Sequence, residues 1–432
     1  MFREIPGSIC APLGFKAAAT FCDIKRIGTG KGSEKGQKRD LALIVSDVSA
    51  AVAGMFTTNQ VCAAPVKVSA ERAARRTARA IVVNSGNANA CTGARGMTDA
   101  RRMTEIAARE LSLAPNDVLV CSTGRIGVTL PMVNVARGIS QCAPRLVRSV
   151  RHAHAAAEAI MTSDTRRKEI AVEIKIGGSA VRIGGICKGA GMIEPRMSRT
   201  LHATMLAFIT SDVAIESSAL KRALDIATGQ SFNRITVDGD MSTNDSVIML
   251  ANGLAGNKNI EHRTSNIEHR TFQAALNHVT LELAKMIVRD GEGVSRFITL
   301  RVRGARTKGE AEAAARSIAN SSLVRTSWCG GDPNWGRILC ALGYALARVD
   351  EAKVDIGYGP SGGGKVLYGF RRGAPTTVSL RQLSRITAAP EFDIHVNLHA
   401  GPHSFIMYAS DLTEEYVTFN KGNVSDPKSL GG

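Results

Sequence analysis

Apolar residues recur along the chain in two rhythms. Runs rich in β-branched residues stand at 41–47 (LALIVSD), 79–86 (RAIVVNSG) and 117–124 (DVLVCSTG), and 169–178 (EIAVEIKIGG) alternates strictly. These predict strands, the last with one face buried. Between them, apolar positions spaced by three and four predict helices over 98–112, 144–161, 216–230, 271–290 and 308–320. Near the end, ASDL at 409–412 and EEYVTFN at 414–420 read as a final turn and strand. Strands alternating with helices give a mixed α/β (α+β) class. Several strands end in glycine turns, at Ser85–Gly86, Ser122–Gly124 and Gly189–Gly191. Backbone N–H groups exposed at such turns suit an anion or an oxyanion.

Composition narrows the class. At 432 residues the chain fits two domains or one large α/β unit, and 44% apolar with 22% charged residues excludes disorder as the main state. The 42 glycines and 4% aromatics describe a chain that turns often and packs small aliphatic side chains. The opening MFREIPGSICAPLGF has no apolar h-region, and no apolar run reaches the ~20 residues of a membrane span. The nine cysteines are scattered without a CxxC pair, so they read as reduced, mostly buried thiols of a cytoplasmic protein. His152 and His154 form an HAH pair with no second ligand pair at a metal-site spacing, so no metal is expected.

The charge is unusual. Lys and Arg total 55 against 38 Asp and Glu, a surplus of 55 − 38 = +17. That invites a nucleic-acid reading. The arginines are dispersed, however, and over 68–80 and 144–154 they recur at three- and four-residue spacings expected of a solvated helix face. Few aromatics lie between them to stack bases, and no recognition motif is present. The hexapeptide NIEHRT, at 259–264 and again at 266–271, reads as one tandem duplication in a surface loop ahead of a helix.

Chemistry concentrates in ICKGAGMIEPRMSRTLHATMLAFITSD, residues 186–212. A glycine turn carries Lys188, a bend contains Pro195, and ATMLAF reads as the opening of an apolar helix. Thr204 then has two readings. It caps that helix, or the chain breaks before it. In the second case its own α-amino group, with a pKa near ~8, serves as base to its hydroxyl. Helix N–H groups and the Ser122–Gly124 turn would then face a tetrahedral oxyanion.

A collinear series of motifs goes further. APLGF (11–15), FTTN (56–59), VNSGNANACTG (83–93), STGRIG (122–127), MTSDT (161–165) and KGAGMIEP (188–195) are followed by ATMLAF (203–208). SFNRITVDGD with STND (231–245), DGEG (290–293), GGDPNWGRI (330–338) and EYVTFN (415–420) complete it. In this order the chain resembles the ornithine acetyltransferase (glutamate N-acetyltransferase) family of arginine biosynthesis. The resemblance implies an αββα sandwich and a precursor that cuts itself between Ala203 and Thr204. The products would be an α chain of 1–203 and a β chain of 204–432, folded as one unit and assembled as α2β2. It implies Thr204 as nucleophile, Thr123 and Gly124 as oxyanion hole, and substrate contacts at Thr162, Lys188, Thr204, Glu292, Asn420 and Ser425. The acetyl group would pass from N-acetylornithine through Thr204 to glutamate with no bound cofactor. Acetyl-CoA is left open as a second donor. Asp238, Asp240 and Asn244 read as structural hydrogen-bonders, and 332–337 as a loop that orders a turn. Two features compete with this reading: an autoprocessing amidase or aminopeptidase would give the same acyl-enzyme to water, and the charge would suit nucleic acid. The chain departs from the family at SRTLH (198–202), five extra residues against the scissile bond.

Overall fold

The computed structural model describes residues 2–25, 38–197, 205–261 and 267–421. One nine-stranded sheet is built from β1 (Arg3–Glu4), β2 (Phe15–Thr20), β3 (Leu41–Phe56), β4 (Thr77–Asn87), β5 (Val118–Arg125), β6 (Lys168–Ile176), β7 (Ser179–Lys188), β8 (Leu206–Ser211) and β10 (Ser246–Ala251). Its order is β1-β6-β7-β8-β10-β3-β4-β5, with β2 also on β3. β3 serves both halves. Its first stretch pairs with β2 and β4, its last with β10, and the register slips between Val45 and Ala50.

The slip lets the sheet fold over itself. Ile44, Ile81 and Leu119 of one half pack in the same core as Ile186, Phe208 and Ile248 of the other. Side chains alternate across each strand, so Leu43, Val82 and Val120 point the other way. They meet Met103 and Ile106 of α2 (Gly93–Leu111) and Ile139 of α3 (Met132–Cys142). On the far side Ile183, Ile209 and Met249 meet Leu220 of α5 (Ser217–Gln230) and Leu276 of α6 (Ile267–Arg289). Helices, half-sheet, half-sheet and helices give the expected αββα sandwich. α1 (Ala64–Ala73) packs on β5, and α4 (Val150–Ala159) places Ala153 and Ala156 in the inner core.

A seven-stranded sheet follows, ordered β14-β13-β12-β15-β11-β16-β9. Its strands are β9 (Ile235–Thr236), β11 (Phe297–Ala305), β12 (Asp355–Pro360), β13 (Leu367–Arg371), β14 (Ala374–Pro375), β15 (Glu391–Asn397) and β16 (His403–Ser410). α7 (Lys308–Asn320), α8 (Ser322–Cys329), α9 (Trp335–Gly343) and α10 (Leu380–Thr387) share its core. Phe297 of β11 belongs to the core around α6, so the two bodies are joined through packing.

Several expectations change. Leu206–Ser211 is a central strand rather than the start of a helix, and all six of its residues are buried. A fully buried apolar run has no polar phase from which to read its period. Among the described residues, 205–211 therefore supply no helix whose N–H groups could face an oxyanion. Residues Glu414–Asn420 form α11, not a strand. The Thr413 hydroxyl accepts the Tyr416 N–H, and Glu414 and Glu415 sit at the positive end, which outweighs the β-propensity of Tyr, Val, Thr and Phe. The arginines of 68–80 do not line one solvated face. α1 ends at Ala73, and Arg72 is buried with its guanidinium on the Val118 carbonyl. The helix expected over 144–161 is shorter, because Val147 first bridges to Ala17. In the NIEHRT pair, Ile260 is buried against Ile215, 262–266 lies outside the described residues, and the second copy opens α6 rather than a loop. SRTLH also lies outside them. The GGDPNWGR loop does order a turn, through Asn334 capping α9.

The inner core sets a stability test. Phe208 is fully buried at the centre of the sandwich. Phe208→Ala should cost about 3–5 kcal/mol, read as a lower urea midpoint with the slope unchanged.

Candidate active site

The folded sheet brings the ends of β5 and β7 together. At the end of β5, Thr123 is buried and Gly124 is exposed with φ +129°. A Cβ at Gly124 would lie 2.3 Å from the Gly86 carbonyl carbon, so only glycine fits there. Asn244 ties this turn down, donating from Nδ2 to the carbonyls of Ala88 (2.6 Å) and Ser122 (2.8 Å). From the facing half, the Lys188 ammonium donates to Thr123 Oγ1 at 3.2 Å.

Lys188 is 4% exposed. Burial lowers its pKa, while Asp164, Asp245 and Glu292 pull it back. A substrate carboxylate would add to that pull. Beside it, Asp164 accepts the N–H of Gly189 (Oδ1, 2.7 Å) and of Thr162 (Oδ2, 2.9 Å). Its Oδ1 also accepts the Lys168 ammonium at 2.6 Å, and Lys168 reaches Asp290 Oδ2 at 2.5 Å. Burial would raise the Asp164 carboxyl, but Lys168 and Lys188 hold it well below the usual range. Burial likewise opposes the charge of Lys168, and Asp164 with Asp290 raises its pKa nonetheless.

Asp290 opens the DGEG turn. Glu292 donates its N–H to the Ala190 carbonyl (2.8 Å), and its carboxylate lies where a side chain at Gly191 would stand, 2.5 Å from an ideal Cβ. Asn420, exposed on the last turn of α11, donates to Glu292 Oε2 at 3.0 Å. Thr123, Gly124, Thr162, Lys188, Glu292 and Asn420 therefore fall on connected segments. Ala203, Thr204 and Ser425 lie outside the described residues. Met205, next to Thr204, is described: its carbonyl accepts the Ser246 N–H at 2.7 Å, and Lys188 pairs across the sheet with Leu206.

Of the residues read as structural, Asn244 and Asp238 hold backbone through their side chains. Asp238 accepts the N–H groups of Met192, Ile193 and Asp240. Four residues were not singled out from the sequence: Asp164, Lys168, Asp245 and Asp290. Asp245 is fully buried, neither carboxylate oxygen has a hydrogen-bond partner, and burial raises its pKa well above the usual value against the pull of Lys188. One signal was available: Lys168 occupies the apolar phase of an alternating strand, in step with Ile170, Val172 and Ile174. Of the HAH pair, His152 bonds Ser149 (2.7 Å) and His154 pairs with Glu169 (2.7 Å). Among the described residues no cluster of three or more His, Cys, Asp or Glu is placed to hold a metal, and no helix is long and apolar enough to cross a membrane.

Residues 22–423 match the model of the ArgJ family. The chain belongs to the ArgJ family. It is 45% identical over 416 residues to the "Arginine biosynthesis bifunctional protein ArgJ" of Symbiobacterium thermophilum, covering 96% of this chain and 98% of that one. It is 42% identical to the "Glutamate N-acetyltransferase" of Methanocaldococcus jannaschii, covering 97% and 98%. Among solved structures, an ArgJ protein of Bacillus halodurans is 38% identical at a TM-score of 0.43, covering 46% of this chain and 98% of its own. An ornithine acetyltransferase of Mycobacterium tuberculosis, complexed with ornithine, is 35% identical at 0.41, covering 46% and 100%.

The buried charges of this ArgJ-family site couple it to pH. The folded-state pKa of Asp164 is depressed, so its contribution to stability is complete above the unfolded value near ~4 and is lost as pH falls below it. Thermal midpoints at pH 7 and pH 3 should differ less in Asp164→Asn than in the parent. An equal fall in both proteins would contradict the assignment.

Proposed function

We propose that the chain is an acyltransferase of arginine biosynthesis that moves the acetyl group of N-acetylornithine to glutamate. Family membership over 22–423 supports the reaction. One observation carries the site: a buried ammonium, Lys188, meets Thr123 beside a turn at Gly124 that only glycine fits. In this reading the precursor cuts its Ala203–Thr204 bond and frees the Thr204 amine. That amine takes the hydroxyl proton as Oγ attacks the acetyl carbonyl carbon. The Thr123 hydroxyl and the Gly124 N–H receive the oxyanion. As the tetrahedral adduct collapses, the C–N bond breaks, the proton goes to the departing nitrogen, and ornithine leaves an acetyl ester on Thr204. The amine of glutamate then attacks the ester, and Thr204 leaves with the proton.

Lys188 meets the substrate α-carboxylate and Glu292 the ornithine ammonium. Thr162 and Ser425 complete the contacts. The reaction uses no bound cofactor, with acetyl-CoA a candidate second donor. The α and β chains stay together, as the pairing of β7 with β8 and of β10 with β3 on either side of the cut favours. They assemble as α2β2 in the cytoplasm.

Incubation with N-acetylornithine should add one acetyl mass to the β chain, and glutamate should discharge it. Thr204→Ala should leave one band near 45.8 kDa on a denaturing gel and no acetyl transfer. Normal transfer by that variant, or discharge indifferent to glutamate, would defeat the reading. Removing an oxyanion donor with Thr123→Ala should lower kcat by about 10²–10³-fold.

The same pocket must accept an ammonium end and then a carboxylate end. Asn420 donates its amide N–H groups to Glu292 Oε2 and to the Tyr416 carbonyl, and turning this amide offers a donor to the far carboxylate of glutamate. Asn420→Ala should raise the KM for glutamate more than that for N-acetylornithine. Equal changes in the two constants would remove Asn420 from that role.

A further inference from the structure

Two separate segments meet at one buried ammonium, and a third is tied to it through Asp164. Lys168 is 1% exposed and stands at the first position of β6. Its ammonium bridges Asp164, 4 residues earlier in the chain, and Asp290, 122 residues later. The remaining acceptor capacity of these carboxylates is directed to backbone of the binding segments. Asp164 takes the N–H of Thr162 and of Gly189, the residue after Lys188. Asp290 takes the N–H and hydroxyl of Thr165, and the chain two residues on is Glu292. The Glu292 N–H returns to Ala190, closing the circuit.

We infer that Lys168 is a positioning residue of the acyl-transfer site, clamping the segments that carry Thr162, Lys188 and Glu292 into one geometry. The inference rests on the reading above for what those residues bind. The ammonium touches no substrate in this scheme and acts through Asp164 and Asp290.

The argument is one of charge and valence. Asp164, Asp290, Lys168 and Lys188 sum to zero, so the cluster can remain ionised out of water. Take away the Lys168 cation and the two buried carboxylates keep only the outlying cations, Lys188 acting on Asp164 and Arg166 at 3.6 Å from Asp290. Asp164 then takes up a proton at a higher pH, since an opposite charge at this range lowers a carboxyl by about 1–3 units. A protonated carboxyl presents an O–H where it had presented a lone pair. A protonated oxygen is also a weaker acceptor than the carboxylate oxygen it replaces, so the hold on Thr162 or on Gly189 weakens. Other charged or titratable groups acting on the cluster are Asp245 and Glu292, which face Lys188; Lys25, whose own pKa burial lowers to about 8; Arg166, 3.6 Å from Asp290; and the buried Cys187 thiol. None of these replaces Lys168 between the two carboxylates.

The test compares the parent with Lys168→Met and Lys168→Arg, measuring acetyl transfer from N-acetylornithine to glutamate across pH. Lys168→Met should lower kcat/KM by about 10- to 100-fold, mainly through KM for both substrates. It should also move the acid limb upward by about one unit or more. Lys168→Arg restores a cation and should return the acid limb to its parental place even if its rate is lower. A folded Lys168→Met protein whose kcat/KM and acid limb match the parent would overturn the inference. So would an Arg variant whose acid limb stays with that of the Met variant. If Lys168→Met does not fold, Asp290→Asn removes one arm at constant volume and should still raise both KM values. Unchanged KM values there would likewise overturn the clamp. Absence of transfer in the parent itself overturns the reading of function instead, which keeps the two failures apart.

Discussion

β3 belongs to both halves of the sandwich, and the site exists because of that sharing. One end of the strand pairs with β2 and β4, the other with β10, and the slipped register between Val45 and Ala50 is where the sheet turns over. The turn brings Thr123, at the end of β5, opposite Lys188, at the end of β7. In an open sheet of order β7-β8-β10-β3-β4-β5 these residues would be five strand spacings apart, or roughly 24 Å at the usual separation. A buried hydrogen bond between them is therefore a consequence of topology before it is a feature of chemistry. Inward-facing Ile186, Phe208 and Ile248 help to hold the halves closed by burial of apolar surface.

The ions at this junction are a poor way to gain stability. Moving a charge out of water costs several kcal/mol even after relaxation, and well-packed apolar groups often do as well as a buried pair. Lys168 with its two carboxylates is instead a device for direction. A carboxylate offers about four lone-pair positions at fixed angles, and Asp164 uses them on Lys168, Gly189 and Thr162. An apolar cluster in the same volume could fill the space but could not orient three backbone segments. Asp245 stands apart from that network, buried without partners and favouring its neutral form.

How much of this was legible in the sequence depended on whether a periodicity survived. The alternating EIAVEIKIGG became β6, and the helix predicted over 308–320 formed with those bounds, because each showed both a buried and an exposed phase. Leu206–Ser211 misled because it has no exposed phase, and Glu414–Asn420 misled because capping at Thr413 overrode side-chain propensity. Arg72 looked solvated because its spacing matched a helix face, yet the helix ends one residue later and the side chain turns inward to Val118. For the site, the glycine turns and Lys188 were readable as local features. The collinear motifs, not the spacing, singled out Thr162, Glu292 and Asn420. The Asp164–Lys168–Asp290 contact joins distant segments, and nothing local marks the partner of a buried charge. The sole trace was a lysine in an apolar phase.

The surplus of +17 takes its place in this scheme through contrast with the interior. Many of the arginines that create it sit at the surface in ion pairs, such as Arg3 with Glu173 and Arg101 with Glu71, where solvent screens the interaction. The interior cluster, by comparison, is balanced to zero. In the proposed reaction that balance matters twice, because each substrate brings a carboxylate to Lys188 while the far end changes sign between ornithine and glutamate. A fixed ion pair at the far end would suit one substrate and reject the other. Glu292 hydrogen-bonded to an exposed amide avoids this, since the carboxylate can meet an ammonium and the amide can turn its N–H groups to a carboxylate. Rigidity at the Lys168 clamp and adaptability at Asn420 are thus complementary demands of one pocket that must hold two unlike side chains around the same acetyl group.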